Sequence, residues 1–245
     1  MATLNLVHLY PTVLNLYGDR GNITTLSRRC AWRGHELRVH DLNMGEAFPE
    51  VEVDLVFIGG DQDREQGVVV DDLRRGHATR IEALVADAVP LLAVCGGYQL
   101  LQKYYRPAEG QDLVGLGIFD AHTLHPGHEV ARRVGNIVVA WERGTIVGFE
   151  NHGGRTFLEG GTAPLGTVLK GFGNNGEDGT EGARVANAFG TYVHGSLLPK
   201  NPELADYILQ LAFARRYPDV SLAALDDGLE QQAHEVALVR AQERL

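Results

Sequence analysis

The chain has 245 residues, of which 44% are hydrophobic and 22% charged, a composition typical of a globular protein with a sizeable core. Its formal net charge of -10 argues against nucleic acid or an anionic membrane surface as the main partner, because both need clustered Lys and Arg. There are two cysteines, no signal-peptide pattern and no apolar run near the roughly 20 residues that span a bilayer. We therefore expect a cytoplasmic protein without a membrane span or a disulfide framework.

The first half of the chain alternates between short apolar runs and amphipathic segments. We predict strands over 4–9, 36–42, 53–58 and 91–94, and helices over 23–32, 72–86 and 99–105. Asn22 is the predicted N-cap of the first helix, and the charged run at 63–66 is predicted to be a solvated loop. This order is typical of an α/β fold with a mostly parallel sheet flanked by helices. Sites in such sheets lie at the carboxyl ends of strands, where Gly59-Gly60 and Cys95 both fall.

The second half of the chain is richer in short strands separated by glycine turns. We predict strands over 113–119, 135–140, 145–149, 167–170 and 186–193, and helices over 202–214 and 222–244. No internal repeat, low-complexity segment or linker is visible. Residues 1–245 are therefore expected to form a single domain.

Cys95 stands where an apolar strand turns into a helix. Two glycines follow it, so the backbone can turn tightly, and the helix N-terminus lowers the pKa of a thiol placed there. A cysteine at a strand end is more often a small buried hydrophobe, but the glycines and the helix favour a nucleophile. Cys30 lies within a predicted helix beside Trp32, and packing explains it better.

A nucleophilic cysteine needs a proton carrier, and ten histidines are available. His194 is the best candidate, because it ends an apolar run and precedes a glycine, which places it at another strand end. His152 is the second candidate. The spacing of His122, His125 and His128 suggests a metal site, but the intervening Pro-Gly disfavours a helix and no ligand set is complete, so we expect no metal. The glycine-rich segment at 171–179 lacks the ending of a phosphate-binding P-loop, and no ATP site is visible.

Two motifs resemble those of class I glutamine amidotransferases: Cys-x-Gly-x-Gln at 95–99 and Tyr-Val-His-Gly at 192–195. The resemblance implies a flavodoxin-like fold in which Cys95 attacks the side-chain amide of L-glutamine and His194 moves the proton. It also implies that backbone N–H groups of Gly60 and Gly96 hold the oxyanion, and that Gln99 and Gly60 contact the substrate. Most of the class carries an acid two residues after the histidine, and here that position is Ser196. The cobyric-acid-synthase-like branch shares this departure and works with a Cys-His dyad.

Four further blocks, at 14–22, 57–66, 148–155 and 171–175, are similar to those of the glutaminase subunits of lipid II isoglutaminyl synthases. In that family an arginine before the Gly-x-Ile-Val strand engages glutamine. Arg132 best occupies this place, with neighbouring Arg133 as the alternative. The resemblance implies a heterodimer with a Mur-ligase-like subunit of the MurT type. That partner would bind ATP and Mg²⁺ and activate the D-glutamate α-carboxylate of lipid II, while this subunit would need no cofactor.

Three alternatives stay open at the level of sequence. The chain could supply ammonia to another acceptor, such as a corrin precursor, although those enzymes usually carry the synthetase on the same chain. It could be a non-catalytic binding subunit, which the missing acid would suggest, or a cysteine peptidase of related fold, against which Gln99 counts. The group that orients His194 is also open: Glu150, a backbone carbonyl or a carboxylate of the partner are the candidates.

Overall fold

The computed structural model describes residues 1–15, 19–60, 63–194 and 197–243. The strands are β1 (Thr3–Leu9), β2 (Glu36–Leu42), β3 (Leu55–Ile58), β4 (Leu91–Val94), β5 (Gln102–Arg106), β6 (Leu113–Val114), β7 (Phe119–Leu124), β8 (Arg133–Trp141), β9 (Gly144–His152), β10 (Arg155–Leu158), β11 (Gly166–Lys170), β12 (Thr180–Glu181), β13 (Ala183–Val185) and β14 (Ala188–Thr191). The helices are α1 (Arg20–Trp32), α2 (Asp63–Asp72), α3 (Ala78–Ala86), α4 (Gly96–Leu100), α5 (Pro202–Arg216) and α6 (Gly228–Glu243). A π-helical turn at Leu73–His77 joins α2 to α3, and a 3-10 turn at Leu198–Lys200 precedes α5.

The largest sheet has the strand order β13-β14-β4-β3-β1-β2, and its pairings are parallel except for the antiparallel edge strand β13. Every residue of β3 and β4 is buried, which explains why these strands are continuous apolar runs rather than alternating ones. The predicted α/β class with a mostly parallel sheet is confirmed. The sheet places the ends of β3, β4 and β14 side by side.

Two smaller sheets were not predicted as separate units. Their strand orders are β10-β7-β5-β6 and β12-β11-β8-β9. The β8–β9 hairpin is antiparallel and sets Arg133 opposite His152. The end of β9 reaches the central sheet, because the N–H of His194 donates to the carbonyl of Phe149 at 2.6 Å. The second half of the chain therefore supplies one side of the region beyond the ends of β4 and β14.

The helix predicted over 99–105 is wrong. α4 ends at Leu100, and the next residues form β5, which pairs with β7 in parallel and with β6 in antiparallel fashion. Tyr104 and Tyr105 favour a strand, and sheet pairing outweighs the helical spacing of so short a run.

Other boundaries also differ from the sequence-based prediction. The run at 63–66, predicted as a loop, begins α2, and Asp19 rather than Asn22 is the N-cap of α1. The strand predicted over 113–119 reaches only from Leu113 to Val114, and α6 begins at Gly228 rather than at 222. Within the described ranges, no helix combines the length and the apolar character needed to cross a membrane.

Candidate active site

Cys95 lies at the junction between β4 and α4, where sequence analysis places it. Its backbone has φ 50° and ψ −109°, a conformation that is strained for any residue other than glycine. The junction is held by two hydrogen bonds: the N–H of Cys95 donates to the Thr191 carbonyl at 2.8 Å, and its carbonyl accepts the N–H of Gln99 at 3.0 Å. The side chain is 6% exposed. A strained, well-held cysteine at a strand-to-helix turn is the geometry of a nucleophile.

His194 lies beyond the end of β14 and is fixed through its backbone to Phe149. Its pKa is lowered to about 3, chiefly because the ring is buried and also because His152 and Arg132 lie nearby. The ring is therefore neutral near pH 7. A neutral imidazole can accept a proton, but the same burial makes this ring a weaker base than an exposed histidine.

Gly60 brings Cys95 and His194 into one site. A Cβ atom built on Gly60 would lie 2.9 Å from the Cβ of Cys95 and 3.2 Å from the Cε1 of His194. Both side chains therefore face the same small space beside the turn after β3. Only a residue without a side chain fits this position without displacing one of them.

His152, the second candidate for the proton carrier, is placed differently. Its ring stacks on Tyr192 with a centroid distance of 3.9 Å, and its Nδ1 lies 2.9 Å from the Gly154 carbonyl oxygen. The stacking and the bonded nitrogen give it a packing role next to the site.

Glu150, one candidate for orienting His194, is fully buried. Its two carboxylate oxygens accept the N–H groups of Phe172 at 2.7 Å and Gly173 at 3.0 Å. One of them also lies 3.7 Å from the Nε2 of His152. These contacts tie Glu150 to the 171–173 turn and to His152. Ser196, where most of the class has an acid, lies outside the described residues.

The two predicted oxyanion donors differ in what their N–H groups do. Gly96 is the first residue of α4, where backbone N–H groups have no partner within the helix. The N–H of Gly60 instead donates to Oδ2 of Asp19 at 2.7 Å. In this conformation the Gly60 N–H is directed at a carboxylate, and its role as an oxyanion donor stays a prediction.

Gln99 is buried behind the site. Its side-chain oxygen accepts from Nε2 of Gln66 at 2.8 Å, and its nitrogen donates to the hydroxyl of Tyr192 at 3.0 Å. Since Tyr192 precedes His194 by two residues, this network braces the strand end that carries the histidine. Substrate contact by Gln99 stays a prediction, and its position in the structure is that of a scaffold.

Arg132 and Arg133 point in different directions. Arg132 is exposed, its Nε donates to Oδ1 of Asn151 at 3.0 Å, and its charge contributes to the low pKa of His194. Arg133 stacks on Phe172 at 4.7 Å from the ring centre. The geometry favours Arg132 as the arginine that faces the site.

Three residues near the site were missed from sequence. Asp19 binds Gly60, Asn151 holds Arg132, and Arg155 donates to the carbonyls of Gly153 at 2.7 Å and Ala131 at 3.1 Å. Asp19 and Gly60 are 41 positions apart, Asn151 and Arg132 are 19 apart, and Arg155 and Ala131 are 24 apart; only the contact of Arg155 with Gly153 is local. No local pattern could have assigned the three distant contacts.

His122, His125 and His128 are not gathered around one point. His122 is stacked between Tyr104 and Phe157, and its Nδ1 lies 3.0 Å from Oε1 of Glu159. The ring centres of His125 and His128 are 5.6 Å apart. No group of three or more His, Cys, Asp or Glu residues in the described part of the chain could hold a metal ion.

Residues 5–202 match the CobB/CobQ-like glutamine amidotransferase domain family. The chain is 42% identical to the subunit GatD of the glutamine-hydrolysing lipid II isoglutaminyl synthase of Staphylococcus aureus, over 98% of this chain and 97% of that one. The corresponding subunit of Streptococcus pneumoniae is 39% identical, over 95% and 89% of the two chains. A probable cobyric acid synthase of Methanothermobacter thermautotrophicus is 31% identical, over 63% of this chain and 35% of that protein.

Solved structures are similar in fold. A crystal structure of a glutamine amidotransferase has a TM-score of 0.59 and 19% identity, and the match covers 84% of this chain and 98% of that one. A glutamine amidotransferase of Thermotoga maritima has a TM-score of 0.54 and 15% identity, with 97% and 95% of the two chains covered. Identities this low support the fold alone.

Proposed function

Because the chain belongs to the CobB/CobQ-like glutamine amidotransferase family, we propose that it hydrolyses L-glutamine and supplies the ammonia to a ligase that amidates lipid II. The observation that carries the proposal is the 42% identity to a GatD subunit over nearly the full length of both chains. The alternative acceptor, a corrin precursor, has weaker support, because the cobyric acid synthase match spans 35% of that protein.

The chemistry follows from the groups gathered at Gly60. Neutral His194 takes the proton of the Cys95 thiol, and the thiolate attacks the amide carbon of glutamine. The tetrahedral intermediate collapses when the protonated imidazole gives its proton to the leaving nitrogen, which releases ammonia and leaves a thioester on Cys95. Water, activated by His194, then hydrolyses the thioester to glutamate.

The second half of the reaction belongs to the partner in this proposal. A Mur-ligase-like subunit of the MurT type would bind ATP and Mg²⁺ and convert the D-glutamate α-carboxylate of the lipid II stem peptide into an acyl phosphate. Ammonia from Cys95 would displace the phosphate and give D-isoglutamine. The two chains would form a heterodimer, and this chain would need no cofactor of its own.

The test is amidation of lipid II by the chain co-purified with a Mur-ligase-like subunit of the MurT type. We expect D-isoglutamine to form only when glutamine, ATP and both chains are present, and Cys95→Ala to stop formation from glutamine. Free ammonia should restore amidation by the Cys95→Ala complex, because the ligase half is intact. Amidation by this chain alone would refute the division of labour, and an absence of glutamate release from glutamine would favour a non-catalytic binding subunit.

A further inference from the structure

The peptide group between Gly59 and Gly60 is held at both ends. Its carbonyl accepts the N–H of Gly97 at 3.0 Å, and its N–H donates to Oδ2 of Asp19 at 2.7 Å. In a trans peptide the carbonyl and the N–H point in opposite directions. The carbonyl therefore faces the first turn of α4, beside Cys95, while the N–H faces away from it.

This orientation matters because the peptide borders the reacting atoms. A Cβ on Gly60 would lie 2.9 Å from the Cβ of Cys95, so the glycine is in contact range of the nucleophile. An oxyanion formed on Cys95 needs N–H donors about 2.7–3.1 Å away and aimed at it. Here the side of the peptide that faces α4 presents a carbonyl oxygen, which would repel the oxyanion. Turning the peptide would replace that oxygen by the Gly60 N–H.

Asp19 is well placed to hold the peptide. It is the N-cap residue of α1, yet its side chain makes no capping hydrogen bond. Its carboxylate is 1% exposed and lies against the turn, since a Cβ on Gly59 would be 2.7 Å from its Oδ2. Burial raises the pKa of Asp19 to about 7, and the Gly60 N–H opposes that shift. The Asp19 carboxylate therefore makes its hydrogen bond to the Gly60 N–H instead of capping α1.

We propose that Asp19 is a positioning residue that holds the Gly59–Gly60 peptide in a resting orientation, and that glutamine hydrolysis requires this peptide to turn its N–H toward Cys95. The inference rests on the proposed function in that Cys95 must be the nucleophile. The hydrogen bond to Asp19 is lost when the peptide turns, so it adds to the barrier of the reaction. Weakening that bond should therefore speed turnover.

The experiment compares Asp19→Ala and Asp19→Asn with the unmodified chain, alone and co-purified with the ligase, by glutamate release at saturating glutamine. We expect kcat to rise about tenfold in Asp19→Ala, which corresponds to about 1.4 kcal/mol. The rise should be smaller in Asp19→Asn, whose amide oxygen still accepts a hydrogen bond and which keeps the size of the side chain if the alanine variant folds poorly. KM should change less than kcat, because the peptide turns after glutamine binds.

A matched control is Asp54→Ala. Asp54 is also 1% exposed and accepts a backbone N–H, that of Asn5 at 2.8 Å, but it lies at the opposite end of the sheet from Cys95. We expect this variant to lose stability without a rise in kcat. The rate of alkylation of Cys95 by iodoacetamide, which forms no oxyanion, should be the same in both Asp19 variants and the unmodified chain.

Unchanged or lower kcat in both Asp19 variants, with normal alkylation of Cys95, would overturn the inference and leave the proposed function intact. Glutamine hydrolysis that persists in Cys95→Ala would overturn the proposed function and this inference together. A kcat that rises in both Asp19 variants and vanishes in each when Cys95→Ala is added supports both.

Discussion

The two cysteines of this chain are both buried, and the structure gives them opposite chemical settings. Cys30 lies inside α1 and is fully buried, and burial raises the pKa of its thiol to about 12. Cys95 is 6% exposed at a strand-to-helix turn with positive φ, and it shares a small space with His194. Burial alone does not separate the two thiols. The backbone turn and the neighbouring imidazole do.

The charges around the two cysteines differ in the same way. Beside Cys30, Arg29 makes hydrogen-bonded ion pairs with Asp206 and Asp227 at 2.6 Å, and these contacts tie α1 to the C-terminal part of the chain. Near His194, whose pKa its charge helps to lower, Arg132 instead makes hydrogen bonds to Asn151. Arg29 is therefore held by carboxylates, whereas Arg132 is held by an amide side chain and a backbone carbonyl.

Replacing each cysteine by alanine tests the contrast most directly. Cys95→Ala should lower kcat for glutamine hydrolysis by roughly 1,000-fold or more, because the nucleophile is lost. Cys30→Ala should leave kcat within about twofold and lower the free energy of unfolding by about 1 kcal/mol through lost packing. Glutamate release and urea unfolding measure the two effects. A folded Cys30→Ala protein without activity would contradict the ranking of the thiols.

Removing the imidazole should have the next largest effect. His194→Ala should lower kcat by roughly 100- to 10,000-fold, because the thiol then has no proton acceptor. His234 is the matched control: it bonds Thr145 and the carbonyl of Lys200 on the far side of β9, so His234→Ala should keep kcat within about twofold. Equal losses in the two variants would show that folding rather than proton transfer is affected.

The positions of Cys95 and His194 could be predicted because each depends on a local pattern, an apolar strand followed by glycine. The parallel sheet then brings the strand ends together by topology alone. The helix over 99–105 was predicted wrongly because the conformation there depends on non-local pairing. Its five-residue continuation, β5, is a strand only because β6 and β7 pair with it, and those pairings lie outside any local window.

Contacts across the chain account for the rest of what the sequence could not reveal. Asp19 and Gly60 are 41 positions apart, and Arg29 and Asp227 are 198 apart. An aspartate before a helix is normally read as a cap, and nothing local indicates that its side chain binds another turn. The direction of the Gly59–Gly60 peptide likewise depends on Gly97 and Asp19 together, so the sequence can suggest an oxyanion role for Gly60 but cannot show which way its N–H points.

A side chain on Gly60 should disturb the Cys95 region more than one on a helix glycine. The Cβ of Gly60→Ala would lie 2.9 Å from Cys95 and 3.2 Å from His194, so at least one of them must move. We expect kcat to fall roughly 10- to 100-fold, which corresponds to about 1.4–2.7 kcal/mol. Gly67→Ala is the control, because nothing lies within 4 Å of its Cβ. Unchanged activity in Gly60→Ala would show that a side chain at this position does not disturb Cys95 or His194.

The assignment of Arg132 rather than Arg133 as the glutamine contact can be tested by replacing each of them. Arg132→Ala should raise KM for glutamine roughly 10- to 100-fold with a smaller change in kcat, because a hydrogen bond to a charged group contributes about 1.5–3 kcal/mol to binding. Arg133→Ala should leave KM nearly unchanged, since that side chain stacks on Phe172. A larger KM effect in Arg133→Ala would reverse the assignment.

The smallest effect concerns stability rather than turnover, and it separates the two regions by pH. The pKa of His194 is about 3 in the folded chain, against an ordinary value of 6.5, so below pH 6.5 only the unfolded chain takes up this proton and the fold loses stability. At pH 5 the loss from this group is about 2 kcal/mol. Beside Cys30, Asp206 is partly buried, and its hydrogen bonds to Arg29 and Arg33 outweigh that burial and lower its pKa, so that region weakens only below about pH 4. Burial raises the pKa of Glu181 to about 8 and of Asp19 to about 7, and both shifts stabilise the fold on acidification. The effect of His194 is therefore measured by comparing a variant with the unmodified chain, because these two groups contribute equally to both.

The experiment is urea unfolding of His194→Gln and of the unmodified chain at pH 7 and pH 5. From pH 7 to pH 5, the unfolding free energy of the variant should rise by about 2 kcal/mol relative to that of the unmodified chain. An equal response of both proteins to pH would mean that burial does not lower the pKa of His194 in the folded chain.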